Sequence, residues 1–277
     1  MLPENATPAS HHRYQLASQI AATCPPTLAA DIALTGSSAR GWATDDSDLE
    51  LNLWSETLPP LEERTAWLTT LGVRDLDIET AARDDDSYWI GGVYEGVPVE
   101  FGWQTHAALD ATCDRLLSGT VTDRSVTFLA TLILNGVPLR DSGAVSTRQI
   151  RLRAYPDTVQ RASIQRAVAH IKRGHVQTTL ALAARGETIS AVERLVTDLD
   201  AAIQVVYAAH RQWMPTRKWT LTTARTFAPP ELVARFQITP FIVDPQERIR
   251  AVAKLLRDAL ALVPCDIDVY GTLAALE

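Results

Sequence analysis

Residues 34–53 constrain the fold of this chain more than any other stretch of its sequence. An apolar strand is predicted to end at Gly36-Ser37, and after a short helical turn a second strand alternates Asp48 and Glu50 with leucines. Side chains two residues apart on a strand point to the same face, so these two carboxylates are expected close enough to share a cation. A Gly-Ser turn that starts a helix presents backbone N–H groups and a hydroxyl to an anion. The segment therefore predicts an anion cradle beside a pair of acids.

The short helical turn itself adds further candidates for anion binding. Ser37 is predicted to contact a phosphate through its hydroxyl and its backbone N–H, and Ser38 is a second candidate. Arg40 lies in the same turn and could neutralise phosphate. An arginine there could equally pack against the sheet or pair with a carboxylate, and the sequence leaves both interpretations open.

The first half of the chain has the pattern of a small mixed sheet with flanking helices. Pro25-Pro26 ends the first predicted helix, and Glu95-Gly96 between two apolar runs predicts a hairpin. Strands are predicted over residues 30–35, 49–53, 75–79, 88–94 and 97–103, and helices over residues 11–24 and 58–72.

Beyond residue 145 the apolar residues recur every three or four positions, which is typical of amphipathic helices. One such pattern covers residues 164–182 and another covers residues 192–209. Ser190-Ala-Val-Glu193 predicts a capping box at the start of the second helix. Asp244-Pro245 predicts the N-cap and first position of a third helix. We therefore predict a C-terminal helical bundle.

The length of 277 residues suits two domains of roughly 100–200 residues each. The fold class is predicted as α+β, with an N-terminal domain over residues 1–145 and the helical domain over residues 146–277. A formal net charge of −7 weighs against a nucleic-acid partner, because nucleic-acid binding uses lysine and arginine. Three distant cysteines predict no disulfide framework, which favours a cytoplasmic protein. Neither a signal peptide nor a membrane span is predicted, and the histidines show no metal-ligand spacing.

The motif around Gly36-Ser37 is similar to the signature of the DNA polymerase β-like nucleotidyltransferase superfamily. In that signature Gly-Ser precedes an acid-x-acid pair on the next strand, as Asp48-Leu-Glu50 does here. Most members carry Asp-x-Asp, whereas kanamycin nucleotidyltransferase-like enzymes look like the Asp-x-Glu of this chain. The two-domain layout resembles the bacterial nucleotidyltransferases for aminoglycosides and lincosamides. The resemblance rests on residues 34–53 and 97–103, and the helical half matches only loosely.

The resemblance implies Mg²⁺-dependent transfer of a nucleoside monophosphate, AMP from ATP as the first choice, to a hydroxyl group of a small molecule. Asp48 and Glu50 would hold the metal, and a third carboxylate is expected on a later strand. Glu100 is our candidate, because Val97, Val99, Phe101 and Trp103 share the opposite face of its strand. It could bind metal, act as general base, or do both. Its rivals lie on an earlier strand: Asp75, Asp77 and Glu79.

The resemblance also implies that the helical domain acts as a lid over the triphosphate, with a lysine and a tyrosine as ligands. Tyr207 and Lys218 are the best-placed candidates for these roles. The expected partners are a nucleoside triphosphate and an aminoglycoside-like acceptor, and a homodimer lies within the range seen among related enzymes. The alternatives are an acceptor on a protein side chain or tRNA, and a non-catalytic nucleotide-binding module of the same fold.

Overall fold

The structure is a computed structural model that describes residues 1–83 and 85–276. It confirms an α+β chain with a mixed sheet followed by helices. By contacts the described residues divide into two compact units, which we call the sheet unit (residues 1–115 and 129–154) and the helical unit (residues 116–128 and 155–276). The predicted domain boundary after residue 145 stays a prediction.

The sheet unit contains a six-stranded sheet in the order β3-β4-β5-β2-β1-β6. β2 pairs with β5 in parallel, and the other neighbouring strands are antiparallel. All five predicted strands are present, and the short edge strand β6 was not predicted. The strands are Asp31–Leu34 (β1), Leu49–Ser55 (β2), Arg74–Ile78 (β3), Tyr88–Tyr94 (β4), Val97–Thr105 (β5) and Val137–Arg140 (β6).

One face of this sheet forms the core of the sheet unit. Alternate residues of the two central strands are almost fully buried there: Leu49, Leu51, Leu53, Val99, Phe101 and Trp103. Trp67 covers them edge-on, with its ring centroid 5.9 Å from that of Phe101 and 6.2 Å from that of Trp103. Because strand side chains alternate, burying this face turns the residues between them to the opposite side.

The helices account for most of the remaining chain. Those of the sheet unit are Pro8–Thr23 (α1), Gly36–Ala39 (α2), Leu61–Leu71 (α3) and Ala144–Arg153 (α6), while His106–Ser118 (α4) and Arg124–Asn135 (α5) contribute residues to both units. Those of the helical unit are Asp157–Val168 (α7), His175–Ala184 (α8), Thr188–Ala209 (α9), Thr220–Ala224 (α10), Pro230–Ile238 (α11), Pro245–Leu260 (α12) and Tyr270–Ala275 (α13). Of the helices in the described part of the chain, none combines the length and apolar character that crossing a bilayer requires.

Two details of the helical unit differ from prediction and one is confirmed. The apolar pattern over residues 164–182 is interrupted, because α7 ends at Val168 and α8 begins only after Gly174, whose φ is +74°. The capping box at Ser190 is wrong, since α9 already begins at Thr188 and has no side-chain cap among the described residues. The predicted cap at Asp244 is confirmed, because its carboxylate accepts a hydrogen bond from the backbone N–H of Glu247 at 2.7 Å.

Candidate functional site

The predicted acids lie on the sheet face opposite the core. Glu50 and Glu100 are direct register partners on the parallel strands β2 and β5. Register partners project to the same face, and neighbouring strands lie about 4.8 Å apart. Asp48 directly precedes β2, two residues before Glu50, so alternation carries it to the same side. All three side chains are half-buried and reachable from solvent. Their roles as metal ligands and catalytic groups stay predictions.

The glycine of the predicted turn lies directly against one of these acids. Gly36 has a φ of +66°, and a Cβ built on it would lie 2.5 Å from Glu50 Cδ and 2.6 Å from each carboxylate oxygen. The neighbouring Thr35 N–H donates to the Glu50 carbonyl at 2.9 Å. Glycine tolerates both the left-handed backbone and the close approach. The predicted anion cradle and the predicted acid pair are therefore in contact.

The rest of the turn is packed inside the sheet unit. Ser37 and Ser38 are both buried, and the Ser38 hydroxyl reaches to 3.5 Å from the Asp48 carbonyl oxygen. Arg40 donates to the Thr131 carbonyl at 3.4 Å and lies over the ring of Trp42. These contacts are with α5 and with the segment after the turn, so packing of Arg40 against the sheet and its pairing with a carboxylate both stay predictions. Phosphate binding by these residues stays a prediction.

Arg13 on α1 is a positioning residue that the sequence analysis missed. Its side chain is buried, its Nε donates to the Ser47 carbonyl at 2.8 Å, and its Nη2 donates to the Asp45 carbonyl at 2.8 Å. A guanidinium fork can hold two carbonyls at once, which a single ammonium group cannot do as well. Arg13 therefore fixes the segment that leads into Asp48. The available signal was an arginine on the apolar face of a helix, in line with Leu16.

Asp77, one of the rivals of Glu100, shares its row across the sheet. Asp77 pairs with Gly91 on β4, and Gly91 pairs in turn with Glu100. Directly opposed residues of antiparallel strands project to the same face, so Asp77 and Glu100 flank a position that carries no side chain. Asp75 differs, because it has a φ of +54° and lies where the β3–β4 register shifts. The structure thus groups Asp77, and not Asp75, with the predicted acids.

Glu79, the third rival, is neutralised by a neighbouring arginine. Nε and Nη2 of Arg83 donate to the two carboxylate oxygens of Glu79 at 2.9 and 2.5 Å, and this ion pair lowers the pKa of Glu79. The Arg83 guanidinium also lies 4.3 Å from the ring centroid of Trp89, and the pKa of Arg83 is raised first by its hydrogen bond to Glu79 and further by the charge of Glu100. A carboxylate held by a bidentate arginine is poorly suited to bind a second cation. Glu79 is therefore a structural partner of Arg83.

The two predicted ligands in the helical unit differ in exposure. Tyr207 is fully buried, and its hydroxyl donates to the Thr220 carbonyl at 2.6 Å. Lys218 is exposed, with its Nζ 5.9 Å from the ring centroid of Trp219. The phenolic proton of Tyr207 is thus engaged within the helical unit, whereas the Lys218 ammonium is accessible to solvent. A nucleotide contact by either residue stays a prediction.

Comparisons with known proteins give limited further information. A family model described as a domain of unknown function, DUF4037, matches residues 125–220. A search of the curated proteins found no match. Among solved structures, the chain is similar to a nucleotidyltransferase-like protein from Exiguobacterium sibiricum 255-15, with 13% sequence identity and a TM-score of 0.42, over 91% of this chain and 74% of that chain. At this identity and TM-score the similarity gives no information about activity.

Proposed function

We propose that this chain is a Mg²⁺-dependent nucleotidyltransferase that moves AMP from ATP to a hydroxyl group of a small molecule. The observation that carries the proposal is the register of β2 and β5, which makes Glu50 and Glu100 neighbours on one sheet face. Asp48 adds a third carboxylate on that side, and Gly36 lies against the Glu50 carboxylate. The resemblance of residues 34–53 to the nucleotidyltransferase signature supports the same chemistry.

The donor set of this face fits Mg²⁺. Magnesium prefers oxygen ligands and is usually held by one or two protein carboxylates together with phosphate oxygens and water. The glycine at position 36 leaves room for the Glu50 carboxylate to lie against the turn, since a Cβ there would be 2.5 Å from Glu50 Cδ. Asp48 and Glu50 would hold the ion, with Glu100 as a further ligand or as the base. When bound, the ion would neutralise phosphate charge in the ground state and in the transition state.

The protein groups would contribute binding, orientation and proton transfer. The turn at Gly36 and Ser37 would bind phosphate oxygens through its N–H groups, with Arg40 of the same turn as a further cationic candidate. Glu100 would accept the proton of the acceptor hydroxyl as its oxygen attacks the α-phosphorus. The new O–P bond forms as the bond from the α-phosphorus to the bridging oxygen breaks, and pyrophosphate leaves with the electron pair. Such catalysis is mostly positioning and charge stabilisation.

An acceptor that carries positive charge suits this site. The row Asp77–Gly91–Glu100–Glu50 places three acids on one face, and the chain as a whole has a formal net charge of −7. Hydroxylated amines such as aminoglycosides are therefore the first acceptor class to examine.

The proposal is tested by pyrophosphate release with ATP, Mg²⁺ and a panel of aminoglycosides and lincosamides. Glu50→Gln and Glu100→Gln keep size and shape but remove the charge, so each should lower the rate by about 10²-fold or more. Glu62→Gln, at an exposed acid in the first turn of α3, is the matched control and should retain the wild-type rate.

Three other outcomes would redirect or end the proposal. If AMP from labelled ATP is transferred only to protein or tRNA, the acceptor belongs to that class. Mg²⁺-dependent binding of a non-hydrolysable ATP analogue without turnover would favour a non-catalytic nucleotide-binding module. The absence of both nucleotide binding and turnover would refute the proposed nucleotidyltransferase activity.

A further inference from the structure

Two histidines of the helical unit converge on one buried aspartate. His170 lies in the connection after α7, His175 is the first residue of α8, and Asp198 lies in the middle of α9. Nε2 of His170 is 2.9 Å from Asp198 Oδ1, and Nε2 of His175 is 2.9 and 3.0 Å from Oδ1 and Oδ2. His175 and Asp198 are buried, whereas the His170 side chain is 31% exposed. The cluster is therefore built into the core but open to solvent on one side.

We propose that His170, His175 and Asp198 form a binding site for one divalent transition-metal ion of the Zn²⁺ type. One ligand atom from each residue lies within 4.8 Å of the others. Two imidazoles and a carboxylate are a typical donor set for such ions, and three protein ligands leave a coordination position for water. Tetrahedral ligands about 2.0–2.1 Å from a shared ion lie roughly 3.3 Å apart. The imidazole–carboxylate contacts of 2.9 Å need to open by a few tenths of an ångström, and the two imidazole nitrogens, which lie within 4.8 Å of each other, need to settle at about the same 3.3 Å.

The carboxylate of this cluster is prepared for a cation. Asp198 is buried, and both of its carboxylate oxygens lie within 3.0 Å of imidazole nitrogen atoms of His170 or His175. The three side chains thus already point their possible ligand atoms at one another.

Arg194 determines where the proton of His175 lies and so sets the affinity of the site. Its Nη2 lies 2.9 Å from Nδ1 of His175, and its Nε donates to the Thr179 hydroxyl at 2.8 Å. Arginine can only donate, so Nδ1 accepts and Nε2 carries the proton that points at Asp198. For an ion to bind at Nε2 of the neutral ring, the proton must move from Nε2 to Nδ1, and Nδ1 then no longer accepts the hydrogen bond from Arg194. Metal binding thus competes with Arg194.

The experiment titrates the protein, prepared without a histidine tag, with Co²⁺ and with Zn²⁺. Binding is measured by calorimetry, and for Co²⁺ also by visible absorption. Excess Mg²⁺ is present to occupy oxygen-ligand sites. We expect one ion per chain. Loss of a partner outside the ligand shell typically weakens metal affinity 10- to 100-fold, so His170→Ala and Asp198→Asn should each cost at least about 10-fold. His11→Ala, at an exposed histidine of α1, is the control and should bind as wild type does.

Arg194→Gln tests the proton assignment. Its amide oxygen can accept from Nδ1–H, so Nε2 becomes free for the ion, and we expect an affinity roughly 10-fold higher than that of the wild type. Weaker binding in this variant would overturn the role given to Arg194. The absence of saturable binding by wild type, or unchanged binding in His170→Ala with an unchanged unfolding temperature, would overturn the site itself. No nucleotide is present, so the result is independent of the proposed transferase activity.

Discussion

Gly36→Ala should lower the rate of pyrophosphate release far more than a control glycine substitution that costs the same stability. The substitution places a side chain on a residue whose φ is +66°, where an L-residue costs roughly 1–2 kcal/mol. Gly96, in the turn between β4 and β5, provides the matched control. Its φ is +81°, and a Cβ there meets no described atom within 4 Å. Gly96→Ala therefore carries the backbone cost alone.

The extra effect of Gly36→Ala follows from the position of the Glu50 carboxylate. The new methyl group would lie 2.5 Å from Glu50 Cδ, whereas carbon atoms in contact prefer about 3.5 Å, so the carboxylate must retreat by about 1 Å. The end of a glutamate side chain can rotate away at little cost to folding. A displacement of about 1 Å at a reacting site, however, can lower the rate by about 10²-fold.

The assay pairs urea unfolding with pyrophosphate release for both variants. We expect similar losses of unfolding free energy, about 1–2 kcal/mol each, and a rate loss of about 10²-fold in Gly36→Ala alone. If Gly36→Ala keeps the rate of Gly96→Ala, the position of the Glu50 carboxylate does not matter for the chemistry. In that case the inference that β2 and the turn at Gly36 position the Glu50 carboxylate for catalysis is refuted.

Three further predictions follow from single side chains. Arg13→Lys replaces a two-carbonyl fork by one ammonium, so pyrophosphate release should fall roughly 10-fold, and an unchanged rate would contradict the positioning role. Burial opposes ionisation of Asp141, but hydrogen bonds at the start of α6 hold its pKa below the ordinary 3.8. The stability it contributes is fully present above that value and is lost as the pH falls through the lowered pKa, so Asp141→Asn should flatten the acid limb of the unfolding free energy measured by urea titration. Burial raises the pKa of Cys24 and Cys113 to about 11, while Cys265 is exposed, so iodoacetamide at about pH 8 should modify Cys265 first, and equal modification by peptide mapping would contradict this.

The face occupied by Glu100 could be predicted from the sequence because it depends on local alternation. Four apolar residues two apart along β5 require the glutamate between them to lie on the other side. The pairing of β5 with β2 could not be predicted in this way, since it joins segments that are 50 residues apart and depends on the order of strands in the sheet. The same holds for Asp77, whose place in the row depends on two successive strand registers.

Arg13 was missed for a different reason. Charged side chains are expected on the exposed face of a helix, so the sequence pattern gave no role to an arginine on the buried face of α1. In the structure the guanidinium donates to the carbonyl groups of Ser47 and Asp45, which lie more than thirty residues further along the chain. An arginine within the apolar stripe of a helix therefore indicates that its guanidinium binds the backbone of a segment distant in sequence.

The histidine cluster was missed because the histidines show no metal-ligand spacing in the sequence, and the predicted helix over residues 164–182 gave no reason to group them. His170 and His175 are five residues apart, which on a continuous helix would place them about 140° from each other around the axis. The apolar pattern over residues 164–182 predicted such a helix, and histidines so far apart have no shared ligand. In the structure α7 ends at Val168, and the turn through Gly174 brings both imidazoles to the Asp198 side chain of α9. The interruption that the periodicity failed to predict is therefore the feature that creates the proposed metal site, and a spacing rule for metal ligands can find it only after the helix boundaries are known.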